Sequence, residues 1–295
     1  MIRSATITVA FVLGLAASTA QAAFENVDIS PRARAMGGAA VAVADDAFAP
    51  FFNPAGMAGQ TRPVLGNSYV KPYGLSFNEQ MYFGGVAPLS ARLGALGFGY
   101  RRFAVTYQDV DLTTESTFTL AHGLTLYEDL HSTIRFGTAL NLYDLEYAET
   151  VGGVDPGHAS VVGADVGLQV ILHERTRLGV MVRNLNNPQI GLDSEELLQQ
   201  LTGGISYMPY DGVTTVFEVG NALDGQTRYR GGVEFAALGA LRLRGGVATN
   251  PSLVTGGFGY GYGGITVDYG FSTGGGVLAP SHQFGMTFAW GGEAP

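Results

Sequence analysis

Cysteine is absent from all 295 residues, which excludes disulfides, thiolate metal sites and thiol catalysis. Lysine is nearly absent. Of 16 basic residues only Lys71 is a lysine, and the rest are arginine, whose planar fork suits fixed ion pairs. Charged residues make up 14% of the chain, against about 25% in an ordinary soluble domain. The net charge is −9, which argues against a nucleic-acid partner. Also missing is any stretch after residue 22 that reaches the ~20 consecutive apolar residues of a membrane helix. A chain this poor in charge and without such a helix points to a membrane β-barrel. The 44 glycines fit closely packed, twisted strands.

The first 22 residues read as a secretory signal peptide. Arg3 is the positive start, Val9 to Ala17 the short apolar core, and Ala20-Gln21-Ala22 the small-residue cleavage site. The mature chain is expected to begin near Ala23.

From about Val64 onward the dominant pattern is alternation with period two. Val162, Ala164, Val166, Leu168, Val170 and Leu172 share one face; Gly163, Asp165, Gly167 and Gln169 share the other. Residues 263–271 and 283–290 repeat the split. Fourteen such runs are predicted, centred near Asn67, Phe83, Phe98, Leu120, Ala139, Val166, Val180, Ile205, Phe217, Tyr229, Leu243, Gly257, Val267 and Gly285. Their connections alternate in length. Pro88–Ser90, Tyr127–Asp129 and His173–Arg175 are short, whereas Ala104–Leu112, Ala148–His158 and Ser272–Ser281 are long. Two connections on the long side, 223–226 and 250–252, are short exceptions. Bacterial barrels have short periplasmic turns and longer external loops, and an even strand number. The expected fold is therefore all-β: a transmembrane antiparallel up-and-down barrel of about 14 strands over residues 63–290, with Gly291–Pro295 as a C-terminal tail.

The face opposite the apolar one should line the lumen. It carries Arg101, Arg135, Asp165, Arg177, Arg183, Glu218, Arg228, Arg230, Glu234, Arg242, Arg244 and Asp268. Opposite charges on neighbouring strands can pair across the ladder. Two readings stand: a polar permeation path, or a static network that holds the wall and binds whatever fills the lumen.

Fourteen strands enclose more space than wall side chains can fill. Residues 23–62 are the one sizeable segment outside the strand pattern, and they are expected to fold back as a plug. Gly37 and Gly38 permit a tight bend. Asn53 suits an N-cap, Pro54 the first helical position and Gly59 the C′ position of a turn that includes Ala55 and Gly56. Asp45 and Asp46 are expected to accept from backbone amides or to pair with luminal arginine. No metal is expected there, since calcium takes six or more oxygens.

This stretch also carries a family likeness. "RARAMGGAAVAVADDAFAPFFNPAGMA", from Arg32 through Arg34 to Ala58, resembles the N-terminal signature of FadL-type long-chain fatty-acid transporters and of the PorV/PorQ proteins. "GGISYMPYDGVTTVFEVGNALDG", "GGVEFAALGALRLRGGVATN", "GGITVDYGFS" and "SHQFGMTFAW" are more similar to PorV/PorQ. The resemblance implies an outer-membrane barrel of fourteen strands with an N-terminal hatch. It implies either passive transport of small hydrophobic, fatty-acid-like molecules or a structural or secretion-accessory role. The partners it implies are outer-membrane lipid, a hydrophobic ligand, a secretion partner and the barrel-assembly machinery acting on the last strand.

Enzymatic chemistry is not expected. The five histidines have no helical metal-ligand spacing, and His131-Ser132 and Ser281-His282 place neighbours on opposite faces of a strand. The glycine runs do not lead into a helix, so no phosphate loop or cofactor site is predicted. "DSEELLQQL" at Asp193–Leu201 reads either as a capped helix or as a loop running into a strand.

Overall fold

The computed structural model describes residue 24 and residues 29–107, 110–148, 157–191, 194–222, 227–274 and 279–291. The leader read at 1–22 and the tail after Gly291 lie outside the described residues. The strands are β1 (Val64–Lys71), β2 (Asn78–Ser90), β3 (Gly94–Tyr107), β4 (Val110–Glu128), β5 (Ser132–Tyr147), β6 (His158–Leu172) and β7 (Thr176–Arg183). They continue as β8 (Gln200–Tyr210), β9 (Val213–Ala222), β10 (Thr227–Leu238), β11 (Leu241–Ala248), β12 (Leu253–Tyr262), β13 (Ile265–Gly274) and β14 (Ser281–Ala289). Each strand pairs antiparallel with its neighbours in sequence. β1 pairs with β14 from Val64↔Ala289 to Lys71↔His282, which closes the sheet. Closure gives every strand a partner on both sides, the condition for a sheet to sit in hydrocarbon. All fourteen expected centres fall inside these strands.

The Asp193–Leu201 stretch does not form a helix. Glu195–Glu196 pairs with Gln189–Ile190 as a small hairpin, and β8 begins at Gln200. Asp193 itself lies outside the described residues.

Wall height is uneven. β3 to β6 have 14, 19, 16 and 15 residues, while β7 and β11 have 8 each. A membrane strand needs about 9–11 residues, so β3–β6 rise past the rest at the end with the long connections. β7 pairs with β6 only from Val166 to Leu172. Above that, Leu185 N donates to Ala164 O, while the side chain of Asn186 accepts from Ala164 N and donates to Val162 O. These contacts blunt the free edge of β6.

The outward face is apolar: Leu120, Leu140, Leu142, Phe217, Val254 and Phe284 are all exposed. Inward positions on the same strands are buried, for example Ala121, Ala139 and Asn141. If this face meets lipid, Val166→Arg at mid-strand should cost about 2–4 kcal/mol of insertion stability. Asp165→Asn, one residue away on the inner face, should cost much less. Folded yield by heat-modifiable migration checks this, and equal losses would mean that the facing is wrong.

Candidate functional site

Residues 29–62 lie against the inner face of the wall. α1 (Pro31–Ala35) is one turn, with Pro31 at its first position and Ser30 as cap, the Ser30 Oγ accepting from Ala33 N at 3.1 Å. It ends at Gly37 and Gly38, with φ of +72° and +81°, and Gly38 N returns to Ala33 O at 2.8 Å. This is the left-handed exit that glycine tolerates. α2 (Ala49–Phe52) and a 3-10 turn over Pro54–Gly59 follow. Asn53 caps the 3-10 turn by accepting from Ala55 N at 3.1 Å, and its amide donates to Val41 O and Leu168 O at 3.0 Å each. Gly59, expected at C′, is instead the last residue of the turn, and Gln60 closes it. Its φ is not left-handed; a side chain there would strike the Arg135 guanidinium. Its smallness serves close approach, not a change of hand.

The same explanation covers most of the wall glycines. Every strand except β9 has an inward glycine at which an added Cβ would come closer than 3.0 Å to this segment. Gly84 faces Ala47 O, Gly123 faces Pro54 O, Gly137 faces Ala55 N, Gly232 faces Met36, Gly246 faces Gly37 N and Gly270 faces Pro31 O. Within the segment, Gly56 meets Ala44 O in the same way. On β9 a side chain makes the contact: Glu218 Oε2 accepts from Ala40 N at 2.8 Å and Val41 N at 2.9 Å. Met36, Ala39 and Val43 pack there with Val216. The opposite sector, with Ala44, Ala47, Phe48, Ala49, Phe51 and Met57, packs against Val64, Tyr82, Val86, Ala95 and Ala121.

Polar contacts fix the register. Arg34, buried, donates to Gln283 Oε1 at 2.7 Å and Ser272 Oγ at 2.8 Å. Gly37 N donates to Thr255 Oγ1 at 2.9 Å, and Gln169 Nε2 to Ala42 O at 3.0 Å. Arg183 donates to Phe51 O, and Arg135 to Gln169 Oε1 at 3.2 Å.

Toward the short connections the lumen opens into a chamber of about 730 Å³ lined by an ionic network. Arg32 pairs with Asp45 at 2.6 Å, Asp46 at 3.6 Å and Glu234 at 3.3 Å. Arg177 pairs with Asp45 at 2.7 Å; Arg244 pairs with Glu234 at 2.6 Å and Asp268 at 2.5 Å. Arg230 holds Glu218 at 2.7 Å across the β9–β10 ladder. Burial opposes ionisation of Asp45, but Arg32 and Arg177 outweigh it and hold its carboxyl well below the usual range. Burial, with Asp45 beside it, raises Asp46, although the Phe48 amide and Arg32 pull the other way. Burial would lower Arg32, but its three carboxylates hold it above its ordinary value.

Beyond the segment, toward the long connections, an aromatic and aliphatic cluster sits beside buried polar groups. Phe24 is buried with Tyr143, Leu145, Ile190 and Leu197. Its ring meets Tyr143 edge-on at 5.0 Å, Arg101 Cζ lies 5.8 Å from the ring centroid, and its N–H donates to Glu115 at 2.8 Å. Asp165 accepts from Asn184 N at 2.9 Å and Asn141 Nδ2 at 2.8 Å. Arg228 stands on the luminal face of β10, opposite Gly220.

Each luminal charge named from the sequence lies on the inner face, and the structure groups them in two places: Glu234, Arg242, Arg244 and Asp268 in the chamber, Arg101, Asp165 and Arg183 on the other side. Sequence reasoning missed Phe24, Gln169, Thr255 and Gln283. It also missed the glycine contacts, although glycine recurs in the inward phase of nearly every strand.

Two outcomes are expected. Gly137→Leu must displace the Ala55 backbone and should cost about 1–3 kcal/mol. Gly203→Leu, whose Cβ would meet open space, should not; melting of heat-modifiable migration compares them. Acid should tighten the seating of the segment before loosening it. The raised Asp46 carboxyl favours the seated state increasingly as pH falls through its titration, whereas the depressed Asp45 loses its ion pairs only in far stronger acid. Protease protection of residues 29–62 against pH reads this, and Asp46→Asn should flatten the rise.

No protein-family model matches the sequence, and no curated protein matches it in sequence. Similarity is found among solved structures. The toluene transporter TodX of Pseudomonas putida superposes with a TM-score of 0.61 at 14% identity, covering 91% of this chain and 99% of that one. The toluene transporter TbuX of Ralstonia pickettii gives 0.57 at 14%, covering 88% and 97%. A FadL homologue of Pseudomonas aeruginosa gives 0.57 at 12%, covering 91% and 98%. The chain thus has the fold of FadL-family outer-membrane channels.

Proposed function

We propose that this protein sits in the outer membrane after cleavage of its leader near Ala23, and that it carries small hydrophobic molecules through that membrane passively. Residues 29–62 act as a plug that prevents free flow of water and ions. The observation that carries the reading is the sequence of environments along the lumen. A packed aromatic and aliphatic cluster around Phe24 lies on the long-connection side, a tightly fitted segment follows, and a charged chamber lies beyond. A hydrophobic solute that displaces Phe24 from this cluster would gain about 25 cal/mol per Å² of apolar surface buried, without an energy source. The fold neighbours named as toluene transporters support a hydrocarbon ligand. The buried Tyr143, Leu145, Ile190 and Leu197 suit an aromatic ring or an alkyl chain alike.

A second reading, a secretion-accessory barrel, is favoured by one observation. β11 and β12 are joined on the long side by only the turn between Ala248 and Leu253, which leaves little external cover over that sector.

Uptake into proteoliposomes separates the two. Toluene or a fatty acid should enter faster with protein than without, and replacing Phe24 by Asp should remove most of the gain. A rate equal to that of protein-free vesicles, together with co-purification of a secreted protein, would favour the second reading. Deleting residues 24–60 should leave a folded barrel, because its ladder closes without them. Conductance in planar bilayers should then rise from near zero to a steady level. A deletion that inserts but conducts no more than the full chain would overturn the plug.

A further inference from the structure

The connection between β7 and β8, residues 184–199, folds over Phe24: Ile190 and Leu197 are buried with Phe24, Tyr143 and Leu145. Its sequence sets the bend. Asn184, Asn187, Gly191 and Ser194 have left-handed φ, of +52°, +46°, +81° and +52°, a conformation most accessible to glycine and asparagine. Three asparagines divide the work. Asn186 fastens the root to the wall through its bonds to Ala164 and Val162 on β6. Asn187 N turns back to Asn184 O at 2.9 Å. Asn184 is buried and bonds in three directions. Its N–H donates to Asp165, its Oδ1 accepts from Tyr143 OH at 2.8 Å, and its Nδ2 donates to Leu198 O at 3.1 Å. One side chain thus ties the wall at β5 to the returning arm of the connection. The far half is held differently. Gln189–Ile190 and Glu195–Glu196 pair with each other, and among the described residues no ladder bond joins this hairpin to the barrel sheet. Its hold on the lumen is the burial of Ile190 and Leu197. Glu195 lies near enough to Glu115 for their charges to oppose one another, which works against closure.

We propose that this connection is a lid over the Phe24 cluster, with the Asn184 side chain as its latch, and that a hydrophobic solute reaches the cluster from the long-connection side when the lid lifts. Only the last clause rests on the transport reading. Lifting breaks the two side-chain bonds of Asn184 and exposes Ile190 and Leu197. The bonds of Leu185 and Asn186 to β6 stay in place as the hinge. A bonded root and an apolar closing face without ladder bonds let the far half move while the barrel keeps its own pairing.

The chain lacks cysteine, so a single introduced thiol reports without background. The full chain in nanodiscs is labelled with a water-soluble maleimide. Leu197→Cys, buried beneath the lid, should label about tenfold or more slowly than Gln189→Cys on its exposed side. Asn184→Gly keeps the left-handed backbone and removes only the latch. It should speed labelling of Leu197→Cys about tenfold, the effect of losing two hydrogen bonds, and leave Gln189→Cys unchanged. Tyr143→Phe removes one of the two bonds and should have a smaller effect. Ile190→Cys should behave as Leu197→Cys does, which guards against a cysteine that opens the lid by itself, and unchanged heat-modifiable migration will show that the barrel is intact. Both buried thiols labelling as fast as Gln189→Cys with Asn184 in place, or at one rate with and without Asn184→Gly, overturns the lid. Toluene uptake into proteoliposomes reads the last clause separately. Asn184→Gly should raise the protein-dependent rate, and an unchanged rate overturns entry beneath the lid. Absence of protein-dependent uptake from both chains counts against transport alone, because the labelling needs no solute.

Discussion

A closed barrel of fourteen strands encloses a lumen that its own side chains cannot fill, and here a single short stretch of the same chain occupies it. The stretch meets the wall backbone to backbone, and everything else about the interior follows from that choice. Contact at this range leaves no room for a Cβ, so thirteen of the fourteen strands carry a glycine where the segment approaches most closely. Glycine inside a strand costs about 0.5–1 kcal/mol relative to alanine. The cost is offset because the segment's apolar residues lose their water: Ala35, Ala47, Ala49, Ala55 and Met57 are 0% exposed. The composition of the wall and that of the segment are therefore one constraint. Small residues on both sides let the two backbones approach.

Such a contact is apolar and nearly featureless around the ring, so it cannot by itself choose a rotational setting. Polar side chains supply that choice. Glu218 receives two consecutive amides, Asn53 reaches both Val41 and the wall at Leu168, and Arg34 spans to β13 and β14. These are buried groups with satisfied partners, and removing one partner would strand the other at a cost of about 1–3 kcal/mol. The ionic network belongs to the same logic. Arg32 ties α1 to Asp45 within the segment and to Glu234 on β10, while Arg177 ties Asp45 to β7. Buried ion pairs add little net stability but penalise wrong settings strongly. They serve here to fix position.

The wall was legible in the sequence because period two is a direct consequence of strand geometry, and one apolar face repeats it without interruption. Strand number, facing and closure follow from that pattern; the connection lengths sort less cleanly than expected, since the stretch read as a long loop at 104–112 is mostly strand and Tyr107 pairs with Val110. The luminal charges were legible for the same reason: Arg244 or Asp268 in an otherwise apolar run can only point inward. The cap at Asn53 was readable from local chemistry. The role of Gly59 was not, because its neighbour, Arg135, is more than seventy residues away. The glycines were read as a sign of closely packed, twisted strands; the close packing is real, but its partner is a segment remote in sequence, which no local pattern names. Phe24 gave no signal, since one aromatic residue near a cleavage site has no period to betray its position.

The fit of the segment also bears on how the two ends of the lumen relate. A loosely held segment would let solvent through and equalise both sides. One pressed against glycine on thirteen strands divides the lumen into two parts of different composition. On the long-connection side the buried groups are Tyr143, Leu145, Ile190 and Leu197, with Arg101 over an aromatic ring. On the short-connection side they are arginines and carboxylates around an open volume. A hydrophobic molecule held near Phe24 has no favourable place in the charged chamber. If the segment plugs the lumen as proposed, the polarity of the two compartments makes it a boundary between solvents as well as a steric block.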